Sequence, residues 1–224
     1  MEPTAIERTF CFIDLAGFTA LTDAHGDAEA VALLDRFIEM TRSALGARDE
    51  LVKSIGDAVM VATVTPDEAV AVVQGLLARC QEADAFPLPR AGAHHGRAIS
   101  RGQDYLGSAV NLAARVAAKS GGGQFLATRR VADAAQRLGI DVTALGPHRL
   151  RNITEPVDLF EVRGSANVST DTLDPVCRMS VDPAHAAGWL AHAGHRYWFC
   201  SLRCAGTFAA DPARHIPDAA GEPA

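Results

Sequence analysis

Asp14 and Asp57 are the first residues whose type and setting could do chemistry. Asp14 ends the apolar run that begins at Phe10 and precedes Ala16-Gly17-Phe18-Thr19, while Asp57 follows Gly56 between two extended stretches. A carboxylate at a strand end beside a glycine turn sits next to backbone amides that can hold phosphate oxygens. Two such carboxylates together make an oxygen-ligand site suited to Mg²⁺ or Mn²⁺, which keep room for phosphate. Taken singly, each aspartate is more often a turn residue than a ligand. Asn111 and Arg115 are spaced to share one helix face. An amide donor and a bidentate guanidinium there suit a phosphorus centre gaining negative charge; alone they read as a cap and a surface arginine. Lys53 and Lys119 are the only lysines in an arginine-dominated chain, so the spot held by Lys53 invites a chemical reading. Of the five cysteines, Cys11 and Cys80 stand apart as expected buried thiols, whereas Cys177, Cys200 and Cys204 fall together near the end. In a reducing compartment such a local group reads as metal or redox chemistry.

The elements that must position these residues follow from periodicity. Arg8 to Asp14 reads as a buried strand and Gly17 as a turn. Val31, Leu34, Ile38, Thr41 and Leu45 mark one face of a helix from about Asp27 to Gly46. Glu50–Ile55 and Ala58–Thr63 form a hairpin through Gly56-Asp57. Thr65-Pro66-Asp67-Glu68 starts a helix facing inward with Val70, Val73, Leu77 and Cys80. A strand at 90–97, a helix at 111–119, a short strand at 124–127, a helix at 128–138 and strands near 142–150 and 157–162 complete an α+β alternation. Small polar residues from Gly164 mark a linker over 164–173, and a second unit of roughly forty residues follows over 174–216, a size that needs a metal or another staple.

The chain has 224 residues, 48% of them hydrophobic, and a formal charge of −6. No basic block points to nucleic acid. The early apolar run is too short and too polar for a signal peptide or a membrane span. The expectation is a cytoplasmic protein without membrane or nucleic-acid partners.

Three segments carry a resemblance. Phe12-Ile13-Asp14-Leu15-Ala16-Gly17-Phe18-Thr19, Lys53-Ser54-Ile55-Gly56-Asp57 and Asp104-Tyr105-Leu106-Gly107-Ser108-Ala109-Val110-Asn111-Leu112-Ala113-Ala114-Arg115 resemble, in order, the signatures of class III adenylate and guanylate cyclase catalytic domains. The similarity covers residues 6–163 and implies a ferredoxin-like core with a mainly antiparallel sheet. It further implies two Mg²⁺ or Mn²⁺ ions per site on Asp14 and Asp57 with the Leu15 carbonyl, and triphosphate contacts around Gly17, Phe18 and Thr19. Lys53 and Asp104 match the base-selecting pair. A lysine donating to adenine N1 and an aspartate accepting from the exocyclic amine favour ATP, since guanine offers the opposite pattern. Asn111 would orient the ribose, Arg115 would stabilise the transition state, and Arg151 is the substitute for a basic residue usually found near the last hairpin. The family architecture implies a homodimer in which the aspartates of one subunit meet the base selectors, asparagine and arginine of the other. Two rival readings are a guanylate cyclase, opposed by Lys53 and Asp104, and a metal sensor whose cyclase-like part only dimerises.

Asp174-Pro175-Val176-Cys177-Arg178-Met179, the segment Gly194 to Cys204, and Phe208 with Asp211-Pro212 resemble the YHS family, related to TRASH-type metal-binding domains. Arg178 stands where that family usually has glycine. Cys200 and Cys204 can converge on one ion from a helical turn, with Cys177 joining through folding; three thiolates suit Zn²⁺ or Cu⁺, with Met179, His192 or His195 as a fourth ligand. The alternative is a small core of buried thiols beside Tyr197, Trp198 and Phe199. Metal there would tie folding to metal supply and so offer control of the dimer. His94 and His95 read as one inward and one outward strand residue, and Trp189 as a packing residue.

Overall fold

The structure, a computed structural model, describes residues 4–83, 85–164 and 172–216. Most of the 164–173 linker and the tail from Pro217 lie outside the described residues. Its centre is β1 (Thr4–Leu15), whose alternation feeds two layers at once. Cys11, Ile13 and Leu15 point into one buried cluster and Phe10 into another, because successive strand residues face opposite sides of a sheet. The hairpin of β2 (Glu50–Ile55) and β3 (Ala58–Thr63) pairs along one side of β1, antiparallel. Its turn uses Gly56 at φ 61°.

On the other side, β4 (Pro89–Arg101) pairs with β1 over twelve positions from Thr4 to Leu15. Beyond it lie β6 (Phe125–Ala127), β8 (Val157–Arg163) and β7 (Asp141–His148), giving the order β2-β3-β1-β4-β6-β8-β7. The short β5 (Asp104–Leu106) folds back on β4. Among the described strands, only β4 and β6 pair in parallel. The architecture is therefore the mixed α+β, mostly antiparallel arrangement expected.

Four helices cover one face: α1 (Phe18–His25), α2 (Asp27–Ala44), α3 (Pro66–Glu82) and α5 (Arg129–Arg137). Thr65 starts α3 through a reciprocal capping box with Glu68, satisfying two otherwise orphaned amides. The expected α2 face is turned: Ala30, Leu33, Phe37 and Thr41 are buried, whereas Val31 is 56% exposed. The large Phe37 ring sets the inward direction, and Leu34 and Ile38 fall on its flank. The opposite sheet face is covered by α4 (Ser108–Ala117), which packs on Phe10, Met60 and Tyr105. Helix α4 lies so close to β4 that a Cβ on Gly92 would fall inside the backbone at Val116 and Ala117.

The C-terminal residues form a hairpin, β9 (Gly188–His192) and β10 (His195–Phe199), followed by α6 (Leu202–Ala210). They add to the main core: Val176, Cys177, Met179, Phe199, Cys204 and Phe208 belong to the same buried cluster as α1 to α3. Phe86 and Pro87 receive this unit through the Ser180 amide, which donates to the Phe86 carbonyl at 3.1 Å, and through a Pro87–Met179 bridge. Trp189 does not pack inward; it is 50% exposed and stacks under Arg196, whose guanidinium carbon lies 4.4 Å from the ring centre. No described helix is long and apolar enough to cross a membrane.

Candidate functional site

Asp14 lies near the C-terminal end of β1, flanked in register by Ala58 and Arg90. The Gly56-Asp57 turn immediately precedes Ala58, so the sheet itself delivers Asp57 to Asp14. Arg90, on β4, donates from Nε to Asp14 Oδ1 at 2.5 Å and from Nη2 to Oδ2 at 2.9 Å. Burial first, and then the Asp14 charge, push the Asp57 carboxyl above its ordinary value, against its own backbone hydrogen bond and Arg90. Two neighbouring carboxylates, one partly desolvated, are a donor set that fits a divalent oxygen-liganded cation, with the Arg90 guanidinium now bound to the Asp14 oxygens. Beyond Leu15 the chain turns at Gly17, at φ 78°, which opens α1; Phe18 and Thr19 form that helix's first turn. No side chain caps this helix start, where the first backbone amides of a helix lack intrahelical partners. The helix itself had no periodic signal, being only eight residues long.

Lys53 and Asp104, far apart in sequence, meet: Nζ donates to Oδ1 at 2.7 Å and to Oδ2 at 2.6 Å. This contact, through the Lys53 ammonium, holds the Asp104 carboxyl below its ordinary value. Their strands are tied by the Tyr105 hydroxyl, which donates to Glu50 at 2.7 Å. Asn111 and Arg115 both lie on α4, Asn111 exposed and Arg115 half-buried, away from the face that buries Val110, Ala113 and Val116. Arg151 is exposed in the turn between β7 and β8, three strands away from β1. The structure thus groups Asp14 with Asp57, Lys53 with Asp104, and Asn111 with Arg115, and leaves Arg151 apart.

Arg90 carried no motif; its signal was only its place on a strand that had to flank Asp14. His94 and His95 do face opposite sides, His94 Nδ1 at 2.8 Å from Thr128 Oγ1 and His95 Nδ1 at 2.9 Å from Thr9 Oγ1. Cys11 is fully buried, its thiol pushed up to about 12 by burial.

The three late cysteines do converge. Cys177 Sγ lies 3.4 Å from Cys200 Sγ, and Cys200 Sγ lies 3.8 Å from Cys204 Sγ. Cys200 precedes the helix and Cys204 lies in its first turn, where its amide donates to Ser201 Oγ. Buried Asp174 orients both segments, accepting from the amides of Val176 at 2.8 Å, Cys177 at 3.3 Å and Cys200 at 2.9 Å. None of the three expected fourth ligands approaches: Met179 is buried against Pro87, His192 meets the Phe208 ring edge-on, and His195 is exposed. The fourth group is His25 at the end of α1, its Nε2 lying 3.5 Å from Cys200 Sγ and 3.8 Å from Cys204 Sγ. It lies 175 residues from Cys200, beyond any local spacing rule.

This fold and these groupings define the class. The family model described as the adenylate and guanylate cyclase catalytic domain matches residues 4–164, and the chain belongs to that family. It is 35% identical over 168 residues to a pH-sensitive adenylate cyclase of Mycobacterium tuberculosis, covering 73% of this chain and 42% of that protein. A receptor-type adenylate cyclase of Trypanosoma equiperdum is 28% identical over 205 residues, with 69% of this chain and 43% of that one covered. The chain spans less than half the length of these curated relatives. Among solved structures, adenylate cyclases of Trypanosoma brucei in their monomeric state match with TM-score 0.66 and 25% identity, over 79% of this chain and 93% of theirs. The adenylyl cyclase CyaB of P. aeruginosa shares the fold, with TM-score 0.62 and 24% identity over 75% and 98% of the two chains.

Proposed function

We propose that this chain is an adenylate cyclase that converts ATP to 3′,5′-cyclic AMP and pyrophosphate at sites shared across a homodimer. The observation that carries the reading is the Lys53–Asp104 contact, which places one ammonium donor beside one carboxylate acceptor. That pair complements the N1 acceptor and exocyclic amine of adenine and opposes guanine.

Asp14 and Asp57, with the Leu15 carbonyl, would hold divalent metal. Metal bound there would lower the pKa of the ribose 3′ hydroxyl and neutralise phosphate charge. The amides around Gly17, Phe18 and Thr19 grip the triphosphate, Asn111 fixes the ribose, and Arg115 meets the charge that grows on the α-phosphate. Much of the rate then comes from positioning and electrostatics. Arg151 is proposed for the terminal phosphates of a neighbouring subunit's substrate, its exposure being compatible with that role. Exposed Ile55, Ile99 and Leu106 on β2, β4 and β5 supply apolar surface for the pairing of copies. The catalytic part is proposed to span 6–163, followed by the 164–173 linker and a YHS-like regulatory unit over 174–216, in a cytoplasmic protein.

Purified protein assayed with Mn²⁺ should cyclise ATP at least tenfold faster than GTP. Preference for GTP would replace this reading by a guanylate cyclase, and inactivity with both would favour a binding or sensing role.

A further inference from the structure

Four soft or borderline donors meet where the C-terminal unit touches the main fold. Every ligand atom of His25, Cys177, Cys200 and Cys204 lies within 4.8 Å of the others. A tetrahedral zinc with Zn–S near 2.3 Å and Zn–N near 2.0 Å sets edges of about 3.8 Å between sulfurs and about 3.5 Å from sulfur to nitrogen. Four of the six donor–donor distances are 3.4 to 3.8 Å, within about 0.4 Å of those edges, the remaining two lie within 4.8 Å, and the sulfurs are far further apart than in a disulfide. All three thiols are free.

The surroundings are those of a built site. His25 presents Nε2 to the sulfurs while Nδ1 faces Glu29 Oε2 at 3.6 Å, so that a small movement of this carboxylate would bring it into the hydrogen bond that orients a metal-bound ring. Asp174 fixes the backbone of Cys177 and Cys200 from beneath.

We propose that His25 completes a Cys₃His zinc site that clasps the C-terminal unit to the end of α1. Three of its ligands come from the late cysteine segment and the fourth from the helix whose other end begins at Gly17. The two parts meet a second time near that end: a Cβ on Gly17 would stand 2.6 Å from Arg178 Cγ. Arg178 itself stands at φ 63°, and the Arg203 guanidinium donates to the Asp23 carbonyl of α1 at 3.3 Å. Zinc would therefore order α1, and with it the loop that follows Asp14. The site does not rest on the cyclase reading; only its effect on turnover does.

The test uses the full chain in millimolar Mg²⁺, which occupies carboxylate sites and competes poorly for thiolates. Titration with Co²⁺ should give one ion per chain, with sulfur-to-metal charge-transfer absorption and tetrahedral ligand-field bands, all displaced by Zn²⁺. His25→Ala should weaken Zn²⁺ binding at least tenfold and alter the Co²⁺ bands, Glu29→Gln should weaken it less, and His25→Cys should restore tight binding. Zn²⁺ should slow amide exchange across Phe18–His25 in the parent protein and not in His25→Ala. Absence of tight Zn²⁺ binding, or binding by His25→Ala equal to the parent, overturns the proposal. If His25→Ala does not fold, Glu29→Gln and His25→Cys decide the same point. Lack of cyclase activity alongside intact zinc binding would count against the function proposed above and leave this site standing.

Discussion

Arg90 already gives Asp14 a positive partner, so it would tune the cation proposed for the two aspartates. Two opposed effects are at work: the guanidinium aims the Asp14 carboxylate through two hydrogen bonds, yet would repel a cation brought to the same oxygens. Because Asp14 is well placed by pairing on both sides of β1, repulsion should dominate. Arg90→Gln is expected to lower the Mn²⁺ concentration for half-maximal activity by about threefold to tenfold, roughly 1 kcal/mol; a rise would mean that aiming Asp14 matters more. His94 provides a prediction for stability. Burial, reinforced by neighbouring His95 and Arg130, pushes its pKa down to about 4 from 6.5. The unfolded chain therefore binds more protons than the folded one between those values. Stability from His94 is present above pH 6.5 and is lost as pH falls toward 4. Urea midpoints of the parent should fall across that window, and His94→Gln, which cannot titrate, should flatten the fall.

Helix α4 is the element on which Asn111 and Arg115 depend, and Gly92 sets how near it sits to the sheet. A methyl group there meets backbone, which cannot swing aside. Gly92→Ala should cost about 3 kcal/mol and lower the melting temperature by roughly 10 °C. Gly206→Ala in α6, where nothing lies within 4 Å of the added carbon, should be neutral or stabilising by up to about 1 kcal/mol. Neither role of Gly92 nor helix α1 was legible in the sequence, for a physical reason. A close approach between elements far apart in the chain leaves no local period, and eight residues hold too few turns to show one. The long helices and the β2–β3 hairpin were legible because amphipathic spacing, the Thr65-Pro66 cap and Gly56 are local causes. The α2 face was turned because several apolar residues competed for one side and ring size decided. In the same way, the pairing of Lys53 with Asp104 followed from matched segments, whereas Arg90 and His25 came from packing.

At the scale of the whole molecule, the shared-site reading makes a demand on stoichiometry. If aspartates and base selectors serve opposite sites, Lys53→Ala and Asp57→Ala should each lose at least a hundredfold in activity. Mixing the two inactive proteins should restore part of it, because one of the two sites in a mixed dimer is intact. No recovery in mixed dimers shown to have formed would sink the model. The position of α1 extends this beyond catalysis. A helix of eight residues is only about 12 Å long, with the proposed triphosphate loop at one end and the proposed zinc ligand His25 at the other. Coupling between two binding equilibria is reciprocal. If zinc changes how firmly the loop holds nucleotide, nucleotide must change by the same factor how firmly the chain retains zinc, so each ligand becomes a gauge of the other's supply.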